Sequence, residues 1–373
     1  MKKSIFHFSI LLIGVFVLNT FSSNACSAFM LKGKGYCTIG FNENWKTMPG
    51  IVVVNPRGIE KQSLSWNFLT AEIATSEKRI KWKSKYGSVS FNLLGIDMPC
   101  YGMNEKGLFI VELYLDKTFS TPDSTKASMF WAQWIQYQLD RYASVPELIA
   151  NLDKAPVIDW WPTFPGSHFF VSDKKGNTAA LEIIDGVFRV STAKAMPIPV
   201  LCNKPYQQEL QSLNKYQAFG GAEPFNLYSR KWDDRFEKAA HLLKSYDSSK
   251  MSPLTYSWNL LDSVKPGQWQ FVADVLNEEL YFRSNVGKAI KCLKLNQCDF
   301  SNKLSILYLD INSMSEGNVH SNLMPLTVSL NRNYVEQGFP VGYENAAFYK
   351  SRGYVNLKHA IDEYVRRTYR LKE

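Results

Sequence analysis

Residues 26–45 read CSAFMLKGKGYCTIGFNENW. Ser27 to Leu31 is a short extended run, Gly33-Lys34-Gly35 is a turn in which glycine takes up positive φ cheaply, and Tyr36 to Asn42 resumes the alternation. The stretch predicts a β-hairpin. The same grammar continues outward. Ile51 to Val54 is closed by Asn55-Pro56-Arg57-Gly58, Ser88 to Leu94 is a further strand, and Leu108 to Leu115 is launched from an Asn104-Glu105-Lys106-Gly107 turn. Helical spacing then appears over Met129 to Tyr142, followed by a capping box at Ser144-Val145-Pro146-Glu147. Strand patterns return at Ser167 to Ser172, Thr178 to Ile184, Val187 to Val190 and Pro197 to Cys202. An amphipathic helix is expected around Ser229 to Tyr246, strands near Trp269 to Val275, Leu280 to Arg283 and Leu304 to Ile311, and a last helix after Asn356. Strands, then helices, then strands without strict βαβ alternation predict an α+β fold, read as one domain over residues 26–373.

Upstream of the hairpin, Lys2 and Lys3 precede an apolar stretch from Phe6 to Leu18, and the segment ends on Ser23 and Ala25. That is the pattern of a secretory signal over residues 1–25, too short for a membrane span of about 20 apolar residues. Cleavage after Ala25 makes Cys26 the first residue of a secreted or periplasmic protein. A cysteine at that place is also where a lipid anchor goes, but Ser23 stands where such sites usually carry Leu. No later run has the length of a membrane span.

Hydrophobic residues make up 45% of the 373-residue chain and charged residues 21%, which rules out disorder. The formal charge of +9 falls to +7 without Lys2 and Lys3 and is scattered, so no nucleic-acid partner is expected. With six cysteines and Cys26 kept free, the remaining five cannot all pair; Cys292 with Cys298 is the best bridge candidate. The sequence has no Cys-x-x-Cys or His-x-x-x-His pair, so no metal and no cofactor is expected.

A mature N-terminal cysteine carries nucleophile and base on one residue. An α-amine with pKa of about 7.7 to 8.0 lies beside a thiol of about 8.5, and the amine can take the thiol proton directly or through water. An oxyanion hole is still needed.

The motifs CSAF at Cys26 to Phe29, GFNENW at Gly40 to Trp45, YGMNEKGL at Tyr101 to Leu108, HFFVSDKKGN at His168 to Asn177 and LCNKP at Leu201 to Pro205 lie in order along the chain. Together they resemble the choloylglycine hydrolase and penicillin V acylase family, linear amide carbon–nitrogen hydrolases of the N-terminal nucleophile superfamily. The resemblance implies a four-layer αββα sandwich whose catalytic cysteine begins a strand at the sheet edge. It implies Cys26 as nucleophile, Asn203 as an oxyanion donor, Asn104 as a second oxyanion contributor and Arg235 as an arginine near the nucleophile. The substrate implied is a small N-acyl amide: a conjugated bile acid, penicillin V, an N-acyl amino acid or an N-acyl lactone.

The chain departs from the family pattern inside that site. Phe41 and Asn44 stand where a basic residue and an aspartate are usual, so the charge pair that would stabilise thiolate and α-ammonium is gone. Glu43 is one residue early, and strand alternation predicts that it faces away from the position of that aspartate. A catalytically impaired member that binds ligand or serves the envelope, and a lipoprotein anchored at Cys26, remain the alternative readings. Adjacent strand residues face opposite ways, so Ser167 and His168 cannot meet as a hydrolytic pair, and His168 is expected to be structural. Oligomeric state is not legible.

Overall fold

A computed structural model describes residues 26–63, 79–115, 127, 129–158, 166–229, 234–303, 305–342 and 353–368; the expected signal segment 1–25 and the aromatic stretch 160–164 lie outside them. The strands run in chain order as β1 (Ser27–Gly33), β2 (Tyr36–Glu43), β3 (Ile51–Asn55), β4 (Glu60–Gln62), β5 (Lys81–Lys83), β6 (Ser88–Asn92), β7 (Pro99–Asn104), β8 (Phe109–Leu115) and β9 (Met129–Phe130). They continue as β10 (Val157–Ile158), β11 (Gly166–Ser172), β12 (Thr178–Ile184), β13 (Val187–Thr192), β14 (Val200–Leu201), β15 (Trp269–Asp274) and β16 (Glu279–Ser284). The last four are β17 (Lys291–Lys294), β18 (Leu307–Asp310), β19 (Gly317–Asn318) and β20 (Met324–Pro325). The helices are α1 (Trp131–Arg141), α2 (Val145–Ile149), α3 (Tyr206–Leu213), α4 (Arg235–Lys244), α5 (Pro253–Val264), α6 (Val328–Gly342) and α7 (Leu357–Thr368).

Two sheets dominate. One has seven strands in the order β14-β1-β2-β15-β16-β17-β19, the other nine in the order β13-β12-β11-β8-β7-β6-β3-β18-β20. Helices α4 and α5 cover the seven-stranded sheet and α1 covers the nine-stranded one, giving the α, β, β, α layering expected. The predicted hairpin forms with Gly33 opposite Tyr36 and Gly35 at φ +83°. The register fixes what each side chain faces. Ser27 opposes Asn42, Phe29 opposes Gly40, and these look toward the helices: Thr38 Oγ1 lies 2.8 Å from Ser257 Oγ of α5. Ala28, Ile39 and Phe41 look the other way, between the sheets, where the Phe41 ring meets Tyr101 at 5.1 Å and Tyr101 stacks on Phe91 at 4.6 Å. Burial of such rings supplies roughly 1.5–3 kcal/mol each, so the intersheet layer is the chief cohesive element.

Several expectations are corrected. Strand β1 is not at the sheet edge: the two-residue β14 pairs outside it, Ala28 to Leu201 and Phe29 to Val200. Helices α3, α5 and α6 and strand β7 were not expected as elements; Pro99 and Gly102 hide β7, and Thr255, Tyr256 and Val264 hide α5 behind β-favouring side chains. The Cys292–Cys298 bridge does not form. Both thiols are free, Cys292 being held in β17 opposite Tyr281 while Cys298 follows a 3-10 turn and donates to the Lys294 carbonyl at 3.6 Å. Ser144 does cap α2, its Oγ accepting from the Glu147 N–H at 3.4 Å, while the Glu147 carboxylate reaches back to the Ala143 N–H at 2.7 Å in place of the Ser144 N–H of a full capping box.

Candidate active site

Cys26 immediately precedes β1 and is buried. Continuing the β1–β2 register by one residue sets Cys26 opposite Glu43, so the two side chains share the intersheet face. The Cys26 thiol donates to Glu43 Oε1 at 3.9 Å. As expected from alternation, Glu43 is on the opposite face from Asn44, and its face is the one that holds the Cys26 thiol. Asn44 instead turns to the helical layer, where its Nδ2 donates to the Lys265 carbonyl at 3.2 Å, beside Asn42 Nδ2 on the Leu261 carbonyl at 2.9 Å. The backbone here is closely packed: a Cβ on Gly267 would lie 2.0 Å from the Glu43 carbonyl, and Gln268 N–H donates to that same oxygen at 2.8 Å.

A second group converges from the helical side. Arg235, at the start of α4 and buried, donates through Nη1 to the Cys26 carbonyl and to Ser27 Oγ at 2.8 Å, and through Nη2 to Asn203 Oδ1 at 2.8 Å. The guanidinium thereby fixes which way the Asn203 amide is turned. Asn203 Nδ2 donates to the Tyr114 carbonyl at 2.6 Å with one of its two hydrogens. The turn carrying Asn203 is held from below: His168 Nε2 lies 2.6 Å from the Cys202 carbonyl, His168 Nδ1 lies 3.3 Å from Glu182 Oε1, and that oxygen also accepts the Tyr206 N–H at 2.8 Å. His168 sits here as a structural strut.

The electrostatics favour a protonated thiol. Burial pushes the Cys26 thiol well above its usual range, and the negative charges of Glu43 and then Glu112 push it further. The Asn44 backbone N–H and the Arg235 charge pull it back less. Burial raises the Glu43 carboxyl to about 7, against which the thiol hydrogen bond works only weakly. Among the described residues Glu43 Oε2 has no hydrogen-bond partner. Phe41 fills the place of the usual basic residue with a fully buried ring.

Cys26, Asn203 and Arg235 are thus gathered in one place, and Asn104 is not with them. Asn104 ends β7, where its Nδ2 donates to the Leu139 and Tyr142 carbonyls at 2.8 Å each and its Oδ1 accepts from the Lys106 and Leu108 N–H groups. Both amide hydrogens are spent on backbone, leaving none for an oxyanion. Its neighbour in β7 that senses the Cys26 charge is Cys100, four residues and about 13 Å back along the strand. Sequence reasoning weighed Glu43 as a carboxylate one residue early but missed its pairing with Cys26, and it missed the backbone carbonyl of Tyr114. The first was available from counting the hairpin register; the second depends on β8 meeting the Asn203 turn and has no local signal. Among the described residues no group of His, Cys, Asp and Glu side chains could hold a metal ion, and no helix is long and apolar enough to cross a membrane.

Residues 52–245, just over half of the chain, match the family model for linear amide C–N hydrolases, choloylglycine hydrolase family. The chain is 25% identical over 263 residues to a penicillin V acylase of Pectobacterium atrosepticum, covering 60% of this chain and 69% of that protein. It is 30% identical over 146 residues to a bile salt hydrolase/transferase of Lactiplantibacillus plantarum, spanning 36% of this chain and 43% of the relative. In fold it resembles penicillin V acylase from Agrobacterium tumefaciens, with a TM-score of 0.66 at 24% identity over 81% of this chain and 98% of the other. It also resembles a mutant conjugated bile acid hydrolase from Clostridium perfringens, with a TM-score of 0.61 at 16% identity over 79% and 98%. The chain belongs to the choloylglycine hydrolase family of linear amide C–N hydrolases.

Proposed function

We propose that this protein is an exported amidase that cleaves a small N-acyl amide through Cys26, exposed as an N-terminal nucleophile when residues 1–25 are removed. One observation carries the reading: the buried Arg235 guanidinium ties the Cys26 carbonyl to the Asn203 amide, so the thiol and a neutral hydrogen-bond donor are held in one rigid frame. In the mechanism that follows, the Cys26 α-amine takes the thiol proton as the sulfur attacks the acyl carbon and returns it to the leaving amine. The second Asn203 Nδ2 hydrogen supports the oxyanion, and the amine leaves as the thioester forms. Water then releases the acid. Arg235 is a positioning residue in this scheme, because its hydrogen bonds go to the Cys26 carbonyl, Ser27 and Asn203.

Membership in a family of amide hydrolases supports the reaction type. Conjugated bile acids, phenoxyacyl penicillins, N-acyl amino acids and N-acyl lactones are the substrates to try, by likeness to the relatives and the sequence motifs. The test is a Cys26→Ser variant assayed on that panel: turnover should fall by on the order of a thousandfold or more with the fold kept. Undiminished hydrolysis by the variant would falsify the reading. A protein that hydrolyses nothing on the panel, folded and with Cys26 free, would instead favour a ligand-binding member, for which the loss of charge at Phe41 is the motivating observation.

A further inference from the structure

We infer that His168 is a positioning residue for the oxyanion donor, fixing the Asn203 turn through a proton that it shares with Glu182. The inference rests on the reading of Asn203 as that donor and adds what holds it in place. Asn203 lies between β14 and α3, in a turn made of Cys202, Asn203, Lys204 and Pro205. Proline has no N–H with which to tie such a turn. The backbone groups that bracket it, the Cys202 carbonyl and the Tyr206 N–H, are met instead by side chains, His168 Nε2 at 2.6 Å and Glu182 Oε1 at 2.8 Å. His168 on β11 and Glu182 on β12 are opposite each other in register, and His168 Nδ1 meets Glu182 Oε1 at 3.3 Å. The contacts therefore close a clamp from one end of the turn to the other, and His168, Glu182 and Asn203 are all buried.

Counting hydrogens shows what the clamp requires. A carbonyl oxygen only accepts, so Nε2 must carry a hydrogen. The contact at Nδ1 is attractive only with a hydrogen between nitrogen and oxygen, on an imidazolium facing carboxylate or on a carboxylic acid facing imidazole. Either placement holds one proton more than a neutral imidazole beside a carboxylate. Without that proton, lone pairs face each other in a buried space, so the clamp is intact on the acid side and loosens as pH rises. The groups around the pair are Cys202 in the turn, Tyr206 and Glu209 on α3, Arg189 on β13, and Arg235 and Glu237 on α4, while β8 sets the apolar Leu113 opposite His168. Burial pushes the Cys202 thiol and the Tyr206 hydroxyl up to about 12, so both stay protonated. Burial and then the charge of Glu237 raise the Glu209 carboxyl to about 7, which leaves it ionised on the alkaline side. The Cys26 α-amine must be neutral to act as base, so its titration shapes the acidic limb of turnover, opposite in sign to the loss expected from the clamp.

Asn203 has little freedom to compensate for a loosened turn. Its Oδ1 is taken by Arg235 Nη2 and one Nδ2 hydrogen by the Tyr114 carbonyl, which leaves a single hydrogen for an oxyanion. Those two bonds decide how the amide is rotated. Where the amide stands is decided by the backbone of the turn, and that is what His168 and Glu182 hold. A displacement of about 1 Å at such a donor costs up to about a hundredfold in rate.

The test uses the leader-free chain, confirmed by mass, with His168→Leu and His168→Gln made alone and together with Asn203→Ala. Hydrolysis is followed on penicillin V, glycocholate and an N-decanoyl homoserine lactone, with kcat and KM taken on the fastest of them. His168→Leu should lower kcat per folded molecule by about 10- to 100-fold and move KM less than about threefold. In the Asn203→Ala background the same change should cost less than about threefold, because its effect passes through Asn203. His168→Gln can set an amide N–H where Nε2 stood, so it should keep kcat within about tenfold of the parent at pH 7. Having no ring to titrate, it should also lose the alkaline decline of kcat that the parent shows. If His168→Leu does not fold, the pH profile of His168→Gln carries the test. An equal loss from His168→Leu in both backgrounds, or an alkaline limb that is absent from the parent or identical in His168→Gln, overturns the proposal. Unchanged kcat in His168→Leu beside a large loss in Asn203→Ala overturns the role of His168 alone. Unchanged kcat in Asn203→Ala, or a parent that hydrolyses none of the three, overturns the underlying reading and this one with it.

Discussion

Asp140 and Glu43 are both sealed from solvent, yet they keep opposite company. Asp140, on α1, is met by Lys61 Nζ at 3.0 Å, Trp82 Nε1 at 2.7 Å and Gln136 Nε2 at 2.9 Å, and Lys61 reaches Asp97 as well at 3.4 Å. Lys61 and Trp82 lie on β4 and β5, so this cluster fastens that small hairpin to the helix over the nine-stranded sheet. Among the described residues the Glu43 carboxylate has only a thiol at 3.9 Å, its second oxygen being without a partner. A buried charge that is paired and hydrogen-bonded behaves as structure; one whose partner is a thiol is left to change its protonation with pH.

The largest effect that separates the two places should come from Lys61→Met. It strands Asp140 and Asp97 without their cation and should cost about 3–5 kcal/mol of stability in urea unfolding. Hydrolysis per folded molecule should be unchanged. A loss of well under 1 kcal/mol would mean that the cluster is not the fastening it is taken to be.

Next in size is the contrast between two asparagines. Asn203→Ala should lower kcat by about 10²–10³. Asn104→Ala should leave kcat alone and destabilise the β7–β8 turn, since four backbone groups lose their partners. Equal losses of kcat in both variants would restore Asn104 to the site and break the geometric distinction drawn here.

The smallest effect concerns Glu43 and pH. In the chain with Ala25 still attached, the folded-state carboxyl titrates at about 7 against an ordinary value of 4.5. The native state therefore binds the proton more tightly than the unfolded one. Stability should fall as pH rises from about 4.5 to 7, by about 3 kcal/mol in total, and level off above that. Glu43→Gln should remove this fall and be more stable than the parent at pH 8 while matching it near pH 4.5. Parallel stability curves for the two proteins would show that Glu43 carries no such penalty.

The sheets were largely legible because alternation is local: Tyr36 to Asn42 and Thr178 to Ile184 announce themselves residue by residue, and the Lys34-Gly35 turn marks where the chain reverses. Helix α5 had a legible start in Ser252, whose side chain accepts from Thr255 N–H, with Pro253 next. Its interior of Thr, Tyr, Trp and Val masked the helix, since tertiary packing on β2 overrides those preferences. The site divides in the same way. Cys26 and Glu43 are seventeen residues apart on one hairpin, so their meeting follows from counting register. Arg235 lies 209 residues from Cys26 and 32 from Asn203, and only the packing of α4 on β1 and β14 brings the three together. The Asn104 assignment failed for a physical reason: an asparagine before a glycine turn has enough backbone groups within reach to use all its hydrogen bonds.

The central claim is that Cys26 is a free N-terminal nucleophile that carries the acyl group. Its most direct test is the intact mass of the exported protein before and after a rapid acid quench with a turned-over N-acyl substrate, followed by N-terminal peptide mapping. The account predicts a chain beginning at Cys26 and a transient mass gain equal to the acyl group, located on that residue. A turning-over protein whose chain begins elsewhere, or whose acyl adduct maps to any other residue, would contradict it.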